Sequence, residues 1–374
     1  MKKIAVITSS RADYGLLYWT IKKIEEDSDL VLQLFVTGMH LNPKFGSTYK
    51  IIEDDGIYIT DKIDLGEHGD DRKSILSQMS LALTGFSSAF EKYSPDLVLV
   101  LGDRYEIFSV AQASLVYGIP IAHIHGGELT EGAFDDAMRH SITKMSHLHL
   151  TSTEAYQNRV MQMGEEASFI CCVGAPGLEN FKKLKLLSKT DFENEINFKL
   201  KDKNLLITYH PVTIGESEVD EFIQAISRYK EYGQVITLPN SDPGHEIILE
   251  KLTLYASEND NIYLTSSLGQ LKYLSAMKIC DVVVGNSSSG IIESPFVGTP
   301  SVNIGERQGG RLADKSVVNC GNKASEIIEA IDRAIKMEKR PSLLYGDGMS
   351  SQKIIDFIKT TNIKKIKKFV DIGI

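Results

Sequence analysis

Short, almost wholly apolar segments alternate with helix-length amphipathic segments along most of this chain. The segment DLVLVL at residues 96–101 is the clearest, and residues 30–37 are similar. A strand that is buried on both faces of its sheet shows such a continuous apolar run, because its neighbours are parallel strands covered by helices. The alternation therefore predicts an α/β fold with doubly wound parallel sheets. In the first half we expect strands at residues 3–8, 30–37, 57–63, 96–101, 119–124 and 147–151.

The alternation stops near the middle of the chain and then restarts. The segment GAPGLEN brings Gly174, Pro176 and Gly177 together, and KDKN follows at residues 201–204. Glycine, proline and polar residues of this kind interrupt regular structure. After the break we expect further strands at residues 205–209, 234–238, 262–265, 281–284 and 301–304.

Two successive β-α series predict two Rossmann-like domains. We place the first domain at residues 1–178 and the second at residues 179–349, and we expect C-terminal helices in residues 350–374 to pack back on the first domain. In sheets of this type, ligands bind beyond the carboxyl ends of the strands. We therefore expect strand-end residues of both domains to line a cleft between them.

Composition excludes several classes of function. The formal net charge of −9 over 374 residues is spread along the chain, which argues against nucleic acid as a partner. No segment reaches the roughly 18 apolar residues of a membrane span, and the first apolar run is too short for a signal peptide. The four cysteines form no metal-binding pattern and predict a reduced, cytoplasmic compartment. A basic cluster is expected to be the solvated face of a short terminal helix; its members are Lys364, Lys365, Lys367 and Lys368.

The stretch from Ile119 to Lys144 begins as an apolar strand and ends as a helix. Its titratable side chains include His123, His125, Glu128, Glu131, Asp135, Asp136, Arg139 and His140. A core element would not carry so many, because each would be costly to bury without a partner. The paired glycines Gly126 and Gly127 favour a shaped turn at a strand end over an ordinary polar loop.

These groups could serve proton transfer or bind a metal. No second cluster with firm ligand spacing supports a metal, so neither a metal nor another cofactor is predicted. Asp103 directly follows the strand at residues 96–101. It is a candidate general base, although an aspartate there could also cap the next helix.

A second group of residues suits a phosphorylated ligand. Residues 286–290, NSSSG, stand where a strand should hand over to a helix, and helix N-termini with small residues bind anions. Glu293 lies about one turn further and could accept hydrogen bonds from ribose hydroxyls. Arginines at three strand ends could pair with phosphate oxygens; they are Arg11, Arg104 and Arg307.

Eight motifs in chain order resemble one family. They are SRADYG (10–15), VTGMH (36–40), LGDRYE (101–106), HIHGGE (123–128), DDAMRHSITKMSHLH (135–149), YHPVT (209–213), GNSSSGIIE (285–293) and NIGERQGGR (303–311). Over nearly the whole chain, the sequence is similar to the hydrolysing UDP-N-acetylglucosamine 2-epimerases of bacterial sialic-acid synthesis.

The resemblance implies a GT-B architecture and the conversion of UDP-N-acetylglucosamine and water to UDP and N-acetylmannosamine. The implied route is elimination of UDP to a 2-acetamidoglucal, followed by hydration. It implies no cofactor, and we expect a homo-oligomer, either a dimer or a tetramer. Two alternatives stay open: the same reaction on UDP-2,4-diacetamido-trideoxyhexose in the legionaminic-acid pathway, and a GT-B glycosyltransferase.

The resemblance also implies roles for individual residues. The catalytic set is Asp103, His123, His125, Glu128, Asp135 and Arg139. The UDP-binding set is Arg11, Arg104, His210, Asn240, Ser287, Ser288, Ser289, Gly290, Glu293 and Arg307. His125 stands where some relatives have a glutamate, so either His125 or Glu128 would take over that acid's role. The loop between Glu128 and Asp135 is one residue longer than in the animal member of the family. The choice between Asp135 and Asp136 as the catalytic residue therefore stays open.

Overall fold

The chain folds into two compact units, each built on its own parallel sheet. Unit 1 comprises Met1–Glu179 with Gly346–Ile374, and unit 2 comprises Asn180–Tyr345. The structure is a computed structural model, and it describes residues 1–66, 69, 71–130, 134–211, 216–239, 245–364 and 366–371.

Strands and helices alternate through the first 162 residues of unit 1. They are β1 (Lys2–Thr8), α1 (Arg11–Glu26), β2 (Leu30–Thr37), α2 (Tyr49–Asp54), β3 (Asp61–Ile63), α3 (Arg72–Tyr93), β4 (Leu97–Leu101), α4 (Tyr105–Val116), β5 (Ile121–Ile124), α5 (Phe134–Met145), β6 (Leu148–Thr151) and α6 (Glu154–Gln162). A further strand, β7 (Ile170–Cys172), completes a seven-stranded sheet in the order β3-β2-β1-β4-β5-β6-β7. Every pairing in this sheet is parallel.

The continuous apolar runs arise because both faces of the sheet are covered. On β1, Ile4 and Val6 join a core cluster with residues of α1, whereas Ala5 and Ile7 join a second cluster with residues of α3 and α4. All four side chains are fully buried. Successive side chains of a strand point to opposite faces, so a strand between two cores must be apolar at every position.

Unit 2 repeats this construction with six strands. After α7 (Glu179–Lys183), which begins at the last residue of the first part of unit 1, come α8 (Lys189–Ile196), β8 (Asn204–Thr208), α9 (Glu216–Ile226), β9 (Gly233–Thr237), α10 (His245–Ser257), β10 (Ile262–Thr265), α11 (Gly269–Ile279), β11 (Val282–Gly285), α12 (Ser289–Phe296), β12 (Ser301–Ile304), β13 (Val317–Cys320) and α13 (Ala324–Ala334). The strand order is β10-β9-β8-β11-β12-β13, again with parallel pairing.

The chain then returns to unit 1 with α14 (Ser350–Thr360), which packs against α1. Its N-terminus is held by Glu179, whose carboxylate accepts from the backbone N–H of Ser351 at 2.8 Å and from the Ser351 hydroxyl at 2.6 Å. No helix follows α14 among residues 361–364 and 366–371. The expected terminal helix around the basic cluster is therefore wrong for these residues, and Lys365 lies outside the described part of the chain.

Most predicted strands form within one or two residues of their expected bounds. The strand expected at residues 57–63 forms only at Asp61–Ile63. Before it, the backbone N–H of Thr60 donates to the Leu34 carbonyl of β2 at 2.8 Å, whereas that of Ile57 donates to the Ile52 carbonyl of α2 at 3.2 Å. Sequence reasoning missed β7 and β13. These edge strands carry half-buried or exposed residues, Cys171 in the first and Asn319 in the second, and so lack the continuous apolar run of a central strand.

The strand order reverses once within each sheet. In unit 1 the reversal lies between β1 and β4, and in unit 2 it lies between β8 and β11. At such a point the connections leave in opposite directions, which opens a crevice at the carboxyl ends of the strands. Among the residues that the structure describes, no helix is both long and apolar enough to span a membrane.

Candidate active site

In unit 1, Arg139 joins three segments of chain at the carboxyl edge of the sheet. Its side chain is 5% exposed and projects from α5. One nitrogen, Nη2, donates to the carboxylate of Asp103 after β4 and to the Thr130 hydroxyl at 3.0 Å. The other, Nη1, donates to the backbone carbonyl of His125 at 3.1 Å and lies 3.6 Å from the Glu128 carboxylate. We call Asp103, His125, Glu128, Asp135 and Arg139 the unit 1 cluster.

His125 occupies a backbone conformation that side chains rarely adopt, with φ of +67° directly after β5. Its Nδ1 is hydrogen-bonded to the carboxylate of Glu128, which also accepts from the Ser152 hydroxyl at 2.7 Å. Its Nε2 is buried and has no hydrogen-bond partner among the described residues. Strain of this kind concentrates at functional sites, and here it accompanies a ring that is anchored on one side only.

His123, two residues earlier on β5, is fully buried. Its Nε2 donates to the carbonyl of Gly102 at 2.7 Å, so its Nδ1 accepts from the Thr143 hydroxyl at 3.2 Å. Burial lowers the pKa of His123 to about 3. The structure thus places this ring beneath the cluster, neutral and with both nitrogens engaged, rather than among the groups at its surface.

The structure gives Asp135 and Asp136 different surroundings. The Asp136 carboxylate accepts from the backbone N–H of Thr130 at 2.7 Å and lies 3.4 Å from Nε2 of His140. Burial raises the pKa of Asp135, and the nearby negative charge of Asp103 raises it further. We therefore group Asp135 with the cluster, while Asp136 binds the backbone of Thr130. Glu131 lies outside the described residues.

Two of the predicted arginines stand on either side of the unit 1 switch point. Arg11 is exposed at the first position of α1. Arg104 follows β4 and lies 2.9 Å from the fully buried carboxylate of Glu106. The start of α1 is fixed by Ser10, whose hydroxyl accepts from the backbone N–H of Asp13 at 3.3 Å. Both cations are thus held on firmly built segments at the crevice.

In unit 2, the buried Asn286 ties two strand ends together across the switch point. Its Oδ1 accepts from the backbone N–H of His210 at 2.7 Å, and its Nδ2 donates to the His210 carbonyl at 2.9 Å. Directly before it, Gly285 has φ of +147°, and a Cβ atom there would lie 1.9 Å from the Thr208 carbonyl oxygen. Only glycine permits this close approach of β11 to β8.

The serine-rich turn after β11 leads straight into α12. Ser288 is the N-cap residue of that helix, although its side chain makes no capping bond. The Ser289 hydroxyl lies 2.7 Å from the hydroxyl of the half-buried Tyr273 and donates to Ser287 Oγ at 3.1 Å. Gly290 and Glu293 follow on the first turn and a half of the helix, and Glu293 is half-buried. The turn therefore presents small hydroxyl groups and backbone N–H groups at a helix N-terminus.

Arg307 and Gln308 follow β12 and reach back to this turn. Nη1 of Arg307 donates to the Asn286 carbonyl at 3.2 Å, and Nε2 of Gln308 donates to the same oxygen at 3.0 Å. A small cavity beside the turn is lined by Ser287, Gly290 and Asn303, among others. The Oδ1 atom of Asn303 is buried with no hydrogen-bond partner in the described part of the chain.

The structure thus gathers the predicted residues into two groups, one at each switch point. Asn240 lies outside the described residues. Sequence reasoning did not single out Ser152, Tyr273, Asn303 and Gln308. Asn303 and Gln308 belong to the motif at residues 303–311, from which only Arg307 was selected, and Ser152 and Tyr273 belong to no motif. Among the described residues, no group of three or more histidine, cysteine, aspartate or glutamate side chains is arranged to hold a metal ion.

Comparison with known proteins agrees with this fold. Two α/β domains, each built on a parallel sheet, are the architecture of GT-B proteins. A Neisseria meningitidis structure, described as UDP-GlcNAc 2-epimerase bound to UDP-GlcNAc, superposes with a TM-score of 0.72 over 96% of this chain and 100% of that one, at 18% identity. This match confirms the predicted GT-B-type fold of two Rossmann-like domains.

Sequence comparison reaches the family level. A family model described as UDP-N-acetylglucosamine 2-epimerase matches residues 22–359. A Campylobacter jejuni protein named GDP/UDP-N,N'-diacetylbacillosamine 2-epimerase (hydrolyzing) is 43% identical over 85% of this chain and 84% of its own. The Escherichia coli polysialic acid biosynthesis protein P7 is 38% identical over 100% of this chain and 98% of its own. The chain belongs to the UDP-N-acetylglucosamine 2-epimerase family, as the motif resemblance predicted.

Proposed function

We propose that this protein is a hydrolysing 2-epimerase that converts UDP-N-acetylglucosamine and water to UDP and N-acetylmannosamine, the first step of sialic-acid synthesis. The observation that carries the proposal is the unit 1 cluster, in which Arg139 binds Asp103 while Glu128 orients His125. Family membership and the anion-binding character of the turn at residues 286–290 support it.

The reaction requires two separate acid–base events. In the first, a base takes the proton from C2 while the C1–O bond breaks, so that UDP leaves with the bonding electrons and a C1–C2 double bond forms. In the second, water adds its hydroxyl at C1 and a proton is delivered to C2 from the opposite face. No carbonyl activates the C2 proton, so departure of the diphosphate must be assisted by cations and helix dipoles.

We assign the first event to Asp103. Its carboxylate is fixed by the Arg139 guanidinium, and its side chain remains 19% exposed, which allows contact with a substrate. A base that is held in place loses little freedom when the substrate arrives. Arg139 is then a positioning residue for this carboxylate.

We assign the second event to His125, with Glu128 behind it. The Glu128 carboxylate accepts from Nδ1–H, which leaves Nε2 as the atom presented for proton exchange. Asp135, whose pKa is raised by burial and by Asp103, is proposed as a further acidic group of this site. His123 acts from below as a positioning residue, because both of its nitrogens are engaged.

We assign unit 2 to the binding of UDP. The turn residues Ser287, Ser288, Ser289 and Gly290 offer backbone N–H groups and hydroxyls to the diphosphate, and Glu293 is placed one turn later for the ribose. Arg307 adds positive charge beside the turn, and Arg11 and Arg104 are proposed as further diphosphate contacts. His210 and Asn240 are proposed UDP contacts from the ends of β8 and β9.

A second substrate is a specific competitor. The Campylobacter relative, at 43% identity, has a name that specifies a diacetylbacillosamine sugar. The same elimination and hydration would operate on UDP-2,4-diacetamido-trideoxyhexose, because the chemistry takes place at C1 and C2 in both sugars.

The test is to incubate the purified chain with each UDP-sugar and to identify the products by NMR. Free N-acetylmannosamine and UDP, released at the higher kcat/KM from UDP-N-acetylglucosamine, would support the proposal. Preferential turnover of UDP-2,4-diacetamido-trideoxyhexose would show that this sugar is the substrate, with the same mechanism. Formation of UDP-N-acetylmannosamine without free sugar would contradict the hydrolysing reaction.

A further inference from the structure

The C-terminal segment of the chain makes buried contacts that its sequence does not announce. We call residues 361–364 and 366–371 the C-terminal strap. Lys367, in the strap, lies 2.7 Å from the carboxylate of Glu165, which is 2% exposed. The same carboxylate lies 2.5 Å from Lys144 at the end of α5 and 3.0 Å from Nε2 of His149 on β6. Three segments of unit 1 thus meet at one buried anion.

The charges around Glu165 favour a fixed arrangement of its partners, which are Lys144, His149 and Lys367. Burial alone would raise the pKa of Glu165, but the hydrogen bonds from His149, Lys144 and Lys367 outweigh it and lower the pKa to about 2. Burial lowers the pKa of His149 despite its contact with Glu165. The carboxylate is therefore ionised at neutral pH and needs its lysines, since an unpaired buried charge would be costly.

Lys367 also caps α5. Its ammonium group donates to the backbone carbonyl of Lys144 at 2.6 Å and lies 3.4 Å from that of Thr143. The last carbonyls of a helix lack partners within the helix and carry partial negative charge, so a cation there stabilises the helix end. The expectation that Lys367 belongs to a solvated face is wrong, because its ammonium group is bound on two sides.

The strap has a second attachment at Phe369 and Val370. The backbone N–H of Val370 donates to the Gly164 carbonyl at 3.0 Å. The ring of Phe369 lies against Gly164 so closely that a Cβ atom there would be 2.5 Å from the ring. Lys144 lies 4.8 Å from the centroid of the same ring. These contacts fix the strap beside the last turn of α5.

The other end of α5 carries the chemistry. Asp135 and Arg139 lie on its first half, and the Thr143 hydroxyl bonds to His123 beneath the cluster. A helix of 12 residues is about 18 Å long and transmits a shift at one end to the other as a nearly rigid body. A small displacement of a positioned catalytic group can cost a large factor in rate.

We propose that Lys367 is a positioning residue for catalysis, which acts by anchoring the C-terminal end of α5 and so sets the position of Arg139 against Asp103. The inference rests on the proposed function for its effect on turnover. The anchoring itself is a property of unit 1 alone.

The experiment compares Lys367→Met with two other variants of the full chain. Methionine retains the aliphatic length but loses the cation and its donors, Lys367→Arg retains both, and Lys368→Met removes an exposed neighbouring lysine as the matched control. We expect Lys367→Met to lower kcat about tenfold with KM changed less than about twofold. We expect Lys367→Arg to recover most of kcat and Lys368→Met to behave as the unaltered protein.

Hydrogen exchange separates anchoring from activity. In Lys367→Met, we expect amides of residues 138–145 to exchange at least about fivefold faster, while those of β1 and β4 are unchanged. Unchanged kcat and exchange would overturn the inference, as would exchange that accelerates throughout unit 1 with activity lost in proportion. If the unaltered chain turned over neither UDP-sugar, the proposed function would fail, and the exchange data would still decide whether Lys367 anchors α5.

Discussion

Each unit has one switch point at which the strand order of its sheet reverses, but the two switch points carry different chemical groups. At the unit 1 switch point and along the neighbouring strand ends, charged side chains bind one another in a buried network around Arg139. At the unit 2 switch point, the neutral Asn286 links backbone groups, and serine hydroxyls lie at the N-terminus of α12. In the proposed function, the first arrangement exchanges protons with the sugar, and the fixed dipoles of the second bind the anionic nucleotide. The proposal therefore assigns chemistry and nucleotide binding to groups of different residue type.

The largest expected effect tests that separation directly. We predict that Asp103→Asn lowers kcat by about 10³-fold, because the amide cannot accept the C2 proton. Titration calorimetry should show UDP affinity within about twofold of the unaltered protein, because Asp103 is not among the residues proposed to bind UDP. If UDP affinity fell together with turnover, the proposed separation of catalytic residues from UDP-binding residues would be wrong.

The next effect concerns the His125–Glu128 pair. We predict that Glu128→Gln lowers kcat about 100-fold and changes the shape of the pH–rate profile, because the amide no longer fixes the Nδ1–H tautomer of His125. The control is Glu154→Gln, an exposed acid at the start of α6. A profile that merely falls in height, with its shape unchanged, would show that Glu128 has no part in the proton exchange.

Unit 1 should also be the more acid-sensitive of the two. Burial lowers the pKa of His123 to about 3 and that of His40 to about 4. Such rings bind protons more weakly when folded than when unfolded, so their contribution to stability is full above pH 6.5 and is lost as the pH falls towards 4. We expect about 2 kcal/mol per ring between pH 7 and pH 5.

Urea unfolding at several pH values measures this slope. His40→Asn should flatten it, because the residue that titrates on unfolding has been removed. Equal slopes for the unaltered protein and His40→Asn would rule out this source of acid sensitivity.

The smallest effect is expected in unit 2. We predict that Arg307→Gln weakens UDP binding about tenfold and changes kcat less than about twofold, because one charge-assisted contact is lost on the nucleotide side. Lys315→Gln, at an exposed position of the same unit, is the control. A larger loss in kcat than in UDP affinity would show that Arg307 acts in the chemical step rather than in nucleotide binding.

Pattern alone predicted most of the fold, and the exceptions have a common cause. Central strands such as Leu97–Leu101 are buried on both faces and so carry an unmistakable apolar run. The edge strands β7 and β13 are half covered, and their residues are not constrained in the same way. Periodicity predicted a helix at the end of the chain, where contacts of Lys367 and Phe369 with the rest of unit 1 determine the conformation instead.

The candidate site could be predicted as a set of residues but not as a set of contacts. Strand-end position and charge selected Asp103, His125 and Arg139. The sequence could not show that His123 turns inward to Gly102 while His125 turns to Glu128, because that difference depends on the left-handed backbone at His125. Nor could it distinguish Asp135 from Asp136, whose surroundings differ because the Asp136 carboxylate accepts a hydrogen bond from the backbone N–H of Thr130.

The central claim is that the chain breaks the C2–H bond during turnover and uses water to complete the reaction. The most direct test is to run the reaction in D₂O with UDP-N-acetylglucosamine and to examine the released sugar by NMR and mass spectrometry. We expect N-acetylmannosamine with one deuterium at C2, formed together with UDP, and no such product from Asp103→Asn. Release of UDP with the original hydrogen retained at C2 would contradict the account.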